Sequence, residues 1–213
     1  MGDSFTSGAQ LFGRALFGAI FGLRVEGLAN VPRTGPLLVA CNHISDFDPP
    51  VLGSAIPRTL HFMAKRELFR YRLCSSLLVR LGAFPVDRAG FDRTAISTAL
   101  DLLSAGNAVA VFPEGTRSGD GRMLPPKPGL GFLAIHARAG ILPVHISGTD
   151  SPLSAFLRRR RFRVRFGQVM PGGQHHSGIA GREEYESVTS LVMESISGLA
   201  DGVGSEPVPR KEG

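Results

Sequence analysis

Tryptophan is absent from the chain and tyrosine occurs only twice. Tryptophan and tyrosine platforms for stacking unpaired bases are therefore sparse. A net charge of +6 still favours anionic partners, but nucleic acid is not expected among them. Cysteine is equally sparse: Cys41 and Cys74 are too few for a disulfide framework and lack metal-ligand spacing. A reducing, cytoplasmic setting follows as the default. The chain contains no HExxH, no Cys-x-x-Cys, no P-loop and no Gly-x-Ser-x-Gly elbow, so neither a metal nor a resident cofactor is expected. Long apolar runs are missing too. Arg14 and Arg24 bracket only nine uncharged residues, too few to span a bilayer, and no small-residue cleavage site marks a secretory signal.

What is present reads as one globular domain with appendages. Hydrophobic residues make up 43% and charged residues 20%, a balance that supports a packed core. Residues 1–22 are expected to include an N-terminal amphipathic helix. Leu11, Phe12, Leu16, Ile20 and Leu23 recur at helical spacing, and Phe17 and Phe21 widen that face. Two destinations stay open for this face, the protein core or a membrane interface. Residues 1–8 read as a frayed start, 23–200 as the domain and 201–213 as a disordered Gly/Pro-rich tail.

Within the domain, β-type runs at 36–41, 59–64, 82–86, 108–113, 141–147 and 162–169 alternate with helical patterns near 49–56, 66–81, 93–105, 129–139 and 183–200. The expectation is an α/β fold with a central, mostly buried sheet flanked by helices. Gly106 and Gly140 are placed as left-handed helix ends.

Polar motifs gather where strands end. Asn42-His43-Ile44-Ser45-Asp46-Phe47-Asp48 follows the first strong strand. His43 and Asp48 would serve as a general-base dyad, the carboxylate fixing the imidazole tautomer. Asp48 has a structural alternative as N-cap of a helix whose first position is Pro49. Phe112-Pro113-Glu114-Gly115-Thr116-Arg117-Ser118 follows another strand. Arg117 suits a phosphate, Gly115 allows close backbone approach, and Thr116 adds a donor. Glu114 would repel a phosphate, so orienting an arginine or accepting from a ligand hydroxyl suits it better. Lys65 and Arg88 stand at two further strand ends, where convergence of cations on one anion competes with isolated surface charge. Cys41, two residues before His43, reads as a buried strand-end residue rather than a nucleophile. Arg158–Arg161, with Arg163 and Arg165, reads either as a solvated, aggregation-resistant edge or as an anion-binding strand.

In this order, NHISDFD, GAFPVDR, FPEGTRS and the looser Leu142-Pro143-Val144 with Gly148 resemble the blocks of the phospholipid/glycerol acyltransferase family, particularly its lysophosphatidate acyltransferase branch. The first block fits the family's NHxxxxD motif. The resemblance spans roughly residues 20–200. It implies a glycerolipid acyltransferase-like mixed sheet and a membrane-associated enzyme of phospholipid biosynthesis. It also implies His43 as the base, supported by Asp48. Lys65, Arg88, Glu114, Gly115, Thr116 and Arg117 would bind the acceptor, with the fourth block shaping the acyl or acceptor site around Pro143. The implied donor is an acyl-CoA or acyl carrier protein thioester. The implied acceptor is a lysophospholipid, lysophosphatidic acid first, with glycerol 3-phosphate or another lysolipid as alternatives. A peripheral or monotopic position on the cytoplasmic membrane face goes with that reading. A non-catalytic, basic lipid-binding protein on the same fold is the rival from another class.

Overall fold

The computed structural model describes residues 2–87, 92–119, 121–157, 161–172 and 181–200, with side chains from residue 5 onward. Arg88, Arg158–Arg160 and the tail 201–213 therefore lie outside the described residues. Seven strands are β1 (Arg24–Glu26), β2 (Leu37–Cys41), β3 (Leu60–Lys65), β4 (Ala83–Val86), β5 (Ala108–Val111), β6 (Gly140–Ser147) and β7 (Arg163–Phe166). Seven helices are α1 (Gly2–Phe21), α2 (Asp48–Ala55), α3 (Arg72–Arg80), α4 (Arg93–Ser104), α5 (Gly129–Ala137), α6 (Pro152–Phe156) and α7 (Arg182–Ala200). The strands form one mixed sheet in the order β1-β7-β6-β2-β5-β3-β4. The pairing is parallel throughout except between β6 and β7. The expected mixed α/β sheet flanked by helices is thus the observed architecture.

Alternation along β2 shows how the sequence builds this sheet. Leu37, Val39 and Cys41 join the core on one face, while Leu38 and Ala40 join the core on the other. A strand buried on both sides has no polar phase to display. The first core includes Val51 and Leu52 of α2 and Phe162 and Phe166 around β7. The second includes Ala95, Ala99 and Leu103 of α4, Leu130 of α5, and Val192 and Ile196 of α7.

Several expectations shift in detail. The helix predicted over 66–81 is two pieces, a 3-10 turn at Arg66–Arg70 and then α3, because Tyr71 is extended (φ −91°, ψ 116°). One extended residue leaves the periodicity on either side intact, so the pattern does not register it. Gly106 has the predicted left-handed conformation (φ 79°), but Gly140 starts β6, and Arg138 (φ 49°) ends α5 instead. From residue 2 on, the stretch read as a frayed start is helical. Thr6 is buried, Gln10 donates to the Arg58 carbonyl, and Arg80 lies over the Phe5 ring. Farther along α1, Phe17 and Phe21 pack near Phe162, yet Leu11 and Phe12 remain 73% and 69% exposed. One helix thus carries both a core face and an outward apolar face. Arg165 bonds Glu26 and the last carbonyls of α7, at Leu199 and Ala200, while Arg163 pairs with Glu26. Those two arginines of the basic strand have structural partners.

Candidate active site

The sheet order decides which strand-end motifs can meet. β2 and β5 are adjacent and parallel, with Ala40 opposite Val111. The segments that leave their C-terminal ends therefore start one strand spacing, about 4.8 Å, apart. β3 stands two spacings from β2 and β4 three. The residues after β2 and β5 share the centre, and Lys65 at the end of β3 stands to one side.

His43 and Asp48 form the expected pair, with Nδ1 2.8 Å from Oδ2. A carboxylate oxygen accepts, so Nδ1 is the donor, and in the neutral imidazole that leaves Nε2 as the nitrogen with a lone pair. Asp48 does not cap the helix. It is the first residue of α2, Pro49 comes second, and the first-turn N–H of Val51 bonds the Phe47 carbonyl. The carboxylate faces back instead. Its Oδ2 also accepts the Ile44 and Ser45 N–H groups, both at 2.7 Å, and Oδ1 accepts the Thr149 hydroxyl at 2.6 Å. Asp48 is fully buried, so these donors replace the water it has lost. The His43 ring stacks on Phe112, centroids 4.2 Å apart. Asn42 fixes the strand end by bonding both backbone groups of Ile146 on β6, through Nδ2 at 2.9 Å and Oδ1 at 2.7 Å.

The third block wraps the base. Glu114, only 2% exposed, accepts the His43 N–H on Oε1 at 2.8 Å and the Leu124 N–H on Oε2 at 2.9 Å. Both oxygens are engaged by the chain's own backbone. The Ser118 N–H donates to the His43 carbonyl at 2.9 Å. His43 is thus gripped on both backbone sides by the loop that carries Arg117. Arg117 is half-exposed and ion-paired with the exposed Asp46, which links the first and third blocks. Thr116 and Lys65 are exposed. Gly115 adopts φ 69°, and a Cβ there would stand 3.0 Å from the Lys127 ammonium. The bare glycine leaves room for that side chain to cross the loop.

Two other features bear on the chemistry. Burial, reinforced by the Asp48 and Glu114 carboxylates, pushes the Cys41 thiol well above its ordinary range. Cys41 stays protonated and is no nucleophile. Among the described residues, no group of three His, Cys, Asp or Glu side chains is placed to hold a metal ion.

Residues 22–147, which contain this whole arrangement up to the end of β6, match the family model described as Acyltransferase. The chain belongs to the acyltransferase family. A 1-acyl-sn-glycerol-3-phosphate acyltransferase of Bacillus subtilis is 35% identical over 182 residues, covering 84% of this chain and 88% of the relative. The mouse 1-acyl-sn-glycerol-3-phosphate acyltransferase alpha is 36% identical over 151 residues, covering 67% of this chain but 51% of the mouse protein. Among solved structures, the 1-acyl-sn-glycerophosphate acyltransferase of Thermotoga maritima superposes with a TM-score of 0.74 at 27% identity. That match covers 92% of this chain and 78% of the other.

Within this acyltransferase, the sequence-expected residues meet unequally. His43, Asp48, Glu114, Gly115 and Arg117 converge at the ends of β2 and β5. Lys65 stands two strands away, and Arg88 lies outside the described residues. Pro143 is buried within the sheet opposite Ala40, its ring close to Gly167. Asn42, Thr149 and Lys127 belong to the arrangement without having been assigned a task. Thr149 lies 101 residues from Asp48, a separation that no local motif spans. Lys127 stands in a Pro-rich connection where a lone cation carries no signal.

Proposed function

We propose that this acyltransferase moves a fatty acyl group from a thioester of coenzyme A or acyl carrier protein to the free hydroxyl of lysophosphatidic acid, giving phosphatidic acid. The observation that carries this reading is the double backbone grip of the Glu114–Ser118 loop on His43, which joins a proton acceptor to a cationic loop in one site. The acceptor in the names of the relatives, a monoacylated glycerol phosphate, needs both.

His43 Nε2 takes the proton of the acceptor hydroxyl as its oxygen attacks the thioester carbonyl carbon. The tetrahedral intermediate collapses with cleavage of the carbon–sulfur bond, and the proton passes from Nε2 to the departing thiolate. A new ester and a free thiol result. Arg117 and Lys127 hold the acceptor phosphate beside the loop, with Lys65 and Arg88 as outer cations. That fixed geometry supplies much of the rate. Glu114 acts here by holding His43 and the loop, not by touching the acceptor.

Transfer takes place at the cytoplasmic face of a membrane, with the protein bound peripherally. Support comes from apolar side chains exposed on α1 and on two helices that each touch it: Leu11 and Phe12 on α1, Leu73 and Leu77 on α3, and Phe156 on α6. Exposed Arg14, Arg72 and Arg80 share α1 and α3 with them, a composition suited to an anionic lipid surface. No helix among the described residues is long and apolar enough to cross a membrane.

The test offers acyl-CoA and acyl carrier protein donors with lysophosphatidic acid and with glycerol 3-phosphate, and follows product lipids by mass. His43→Ala is expected to lower the rate by about 10²–10⁴-fold. A wild-type rate in that variant removes the base from the mechanism, and product from glycerol 3-phosphate alone overturns the acceptor.

A further inference from the structure

We infer that Thr149 is a positioning residue for transfer, holding the Asp48 carboxylate in the plane from which it directs His43. The inference rests on the reading of His43 as base and extends it to a residue outside the motif blocks. Thr149 is fully buried, and its hydroxyl stands 2.6 Å from Asp48 Oδ1. The other carboxylate oxygen, Oδ2, serves three groups at once: His43 Nδ1, the Ile44 N–H and the Ser45 N–H. All three engage the same oxygen, and Oδ1 accepts the Thr149 hydroxyl. That donor anchors the carboxylate at its second oxygen and satisfies an acceptor buried away from water. The direction of the Nδ1–H bond fixes the imidazole ring, and with it the aim of Nε2.

The backbone is shaped to deliver this hydroxyl. β6 ends at Ser147, and Gly148 turns the chain with φ 85°. A Cβ on Gly148 would stand 2.3 Å from the Arg161 carbonyl oxygen, so only glycine fits the turn. The next residue, Thr149, arrives beside Asp48. A buried threonine with no such duty would meet its hydrogen-bonding need from a nearby carbonyl. Here its proton goes to the one carboxylate that supports the base.

The experiment compares Thr149→Val, which keeps the shape and deletes the hydroxyl, with Thr149→Ser and Thr149→Ala. Each is measured in the full chain for kcat, for KM of both substrates, and for Tm. The expected order of kcat is wild type and Ser together, then Val and Ala lower by about 10–100-fold, the size that losing a hydrogen bond to a charged group carries. KM for lysophosphatidic acid should move by less than about threefold, because Thr149 contacts neither substrate nor cation. Adding Thr149→Val to Asp48→Asn should cost little further, since the two act as one unit. A wild-type kcat in Thr149→Val overturns the inference. A slow Thr149→Ser beside a wild-type Thr149→Val would likewise overturn it, by making the methyl group, and hence packing, the cause. If His43→Ala keeps its rate while Thr149→Val is slow, the reading of the base fails instead, which separates the two failures.

Discussion

Asp48, at the start of α2, and Glu114, in the loop after β5, are buried carboxylates, and backbone N–H groups hold both. For an anion removed from water, such donors supply what a salt-bridging arginine supplies elsewhere. They also bind the chain to the anion, so each carboxylate fixes the loop around it. This separates two accounts of Glu114. If it met the acceptor, Glu114→Gln would raise KM and leave kcat alone. As a bracket between His43 and Leu124 it should lower both Tm and kcat. Gln has one acceptor oxygen where two N–H groups need partners, so one buried donor is stranded at about 1–3 kcal/mol. Steady-state kinetics with thermal unfolding of the same variant checks this, and a raised KM with unchanged Tm contradicts the bracket. The identity of Glu114 was legible in the sequence as part of a motif, but its partners were not. A backbone donor leaves no trace in residue type.

At the scale of elements, close approach decides where glycine stands. Gly131 on α5 faces α7 so closely that a Cβ would fall 2.1 Å from the Tyr185 carbonyl oxygen. Thr189 completes the contact, accepting the Gly131 N–H at 3.0 Å and donating to that Tyr185 carbonyl at 2.7 Å. Gly131→Ala should therefore force the helices apart and destabilise the fold by about 1–3 kcal/mol. A thermal or urea melt in which Gly131→Ala matches wild type would contradict this packing. The segment GLGFLA resembles a dinucleotide fingerprint, and α5 shows why the resemblance is empty. The glycine accommodates a neighbouring helix, and no strand precedes it. The elements themselves were largely readable, because double-sided burial of β2, β5 and β6 writes continuous apolar runs. The three-residue β1 and five-residue α6 were not, since neither completes enough of a period to register. The outcome for α1 was readable only in halves: Phe17 and Phe21 face Phe162 while Leu11 and Phe12 face outward, and both carry the same apolar signal.

Over the whole molecule, outward apolar side chains stand on α1, α3 and α6, and exposed Arg14, Arg72 and Arg80 share α1 and α3 with them. Soluble monomers rarely expose such patches without a partner. Leu73→Ser combined with Leu77→Ser should reduce co-sedimentation with anionic vesicles by about 10-fold or more, since each leucine loses roughly 1.5–3 kcal/mol of burial at most. Turnover of a short-chain, freely dissolved acceptor should be unchanged. Equal sedimentation of variant and wild type would overturn the membrane surface. Exchange of the same vesicles for uncharged ones should weaken wild-type binding, because the arginines then lose their counter-charge.

The bond between the His43 N–H and Glu114 joins residues 71 positions apart. Loop closure over such distances comes late, after shorter-range contacts have formed. No contiguous stretch of this chain shorter than His43 to Thr149 contains the base, its carboxylate, the bracket and the hydroxyl beneath them. A nascent chain still missing β6 therefore carries the first three motif blocks and yet lacks the Thr149 hydroxyl that completes the support of the dyad. Acyl transfer, followed during synthesis or refolding, would register completion of the sheet rather than appearance of its parts.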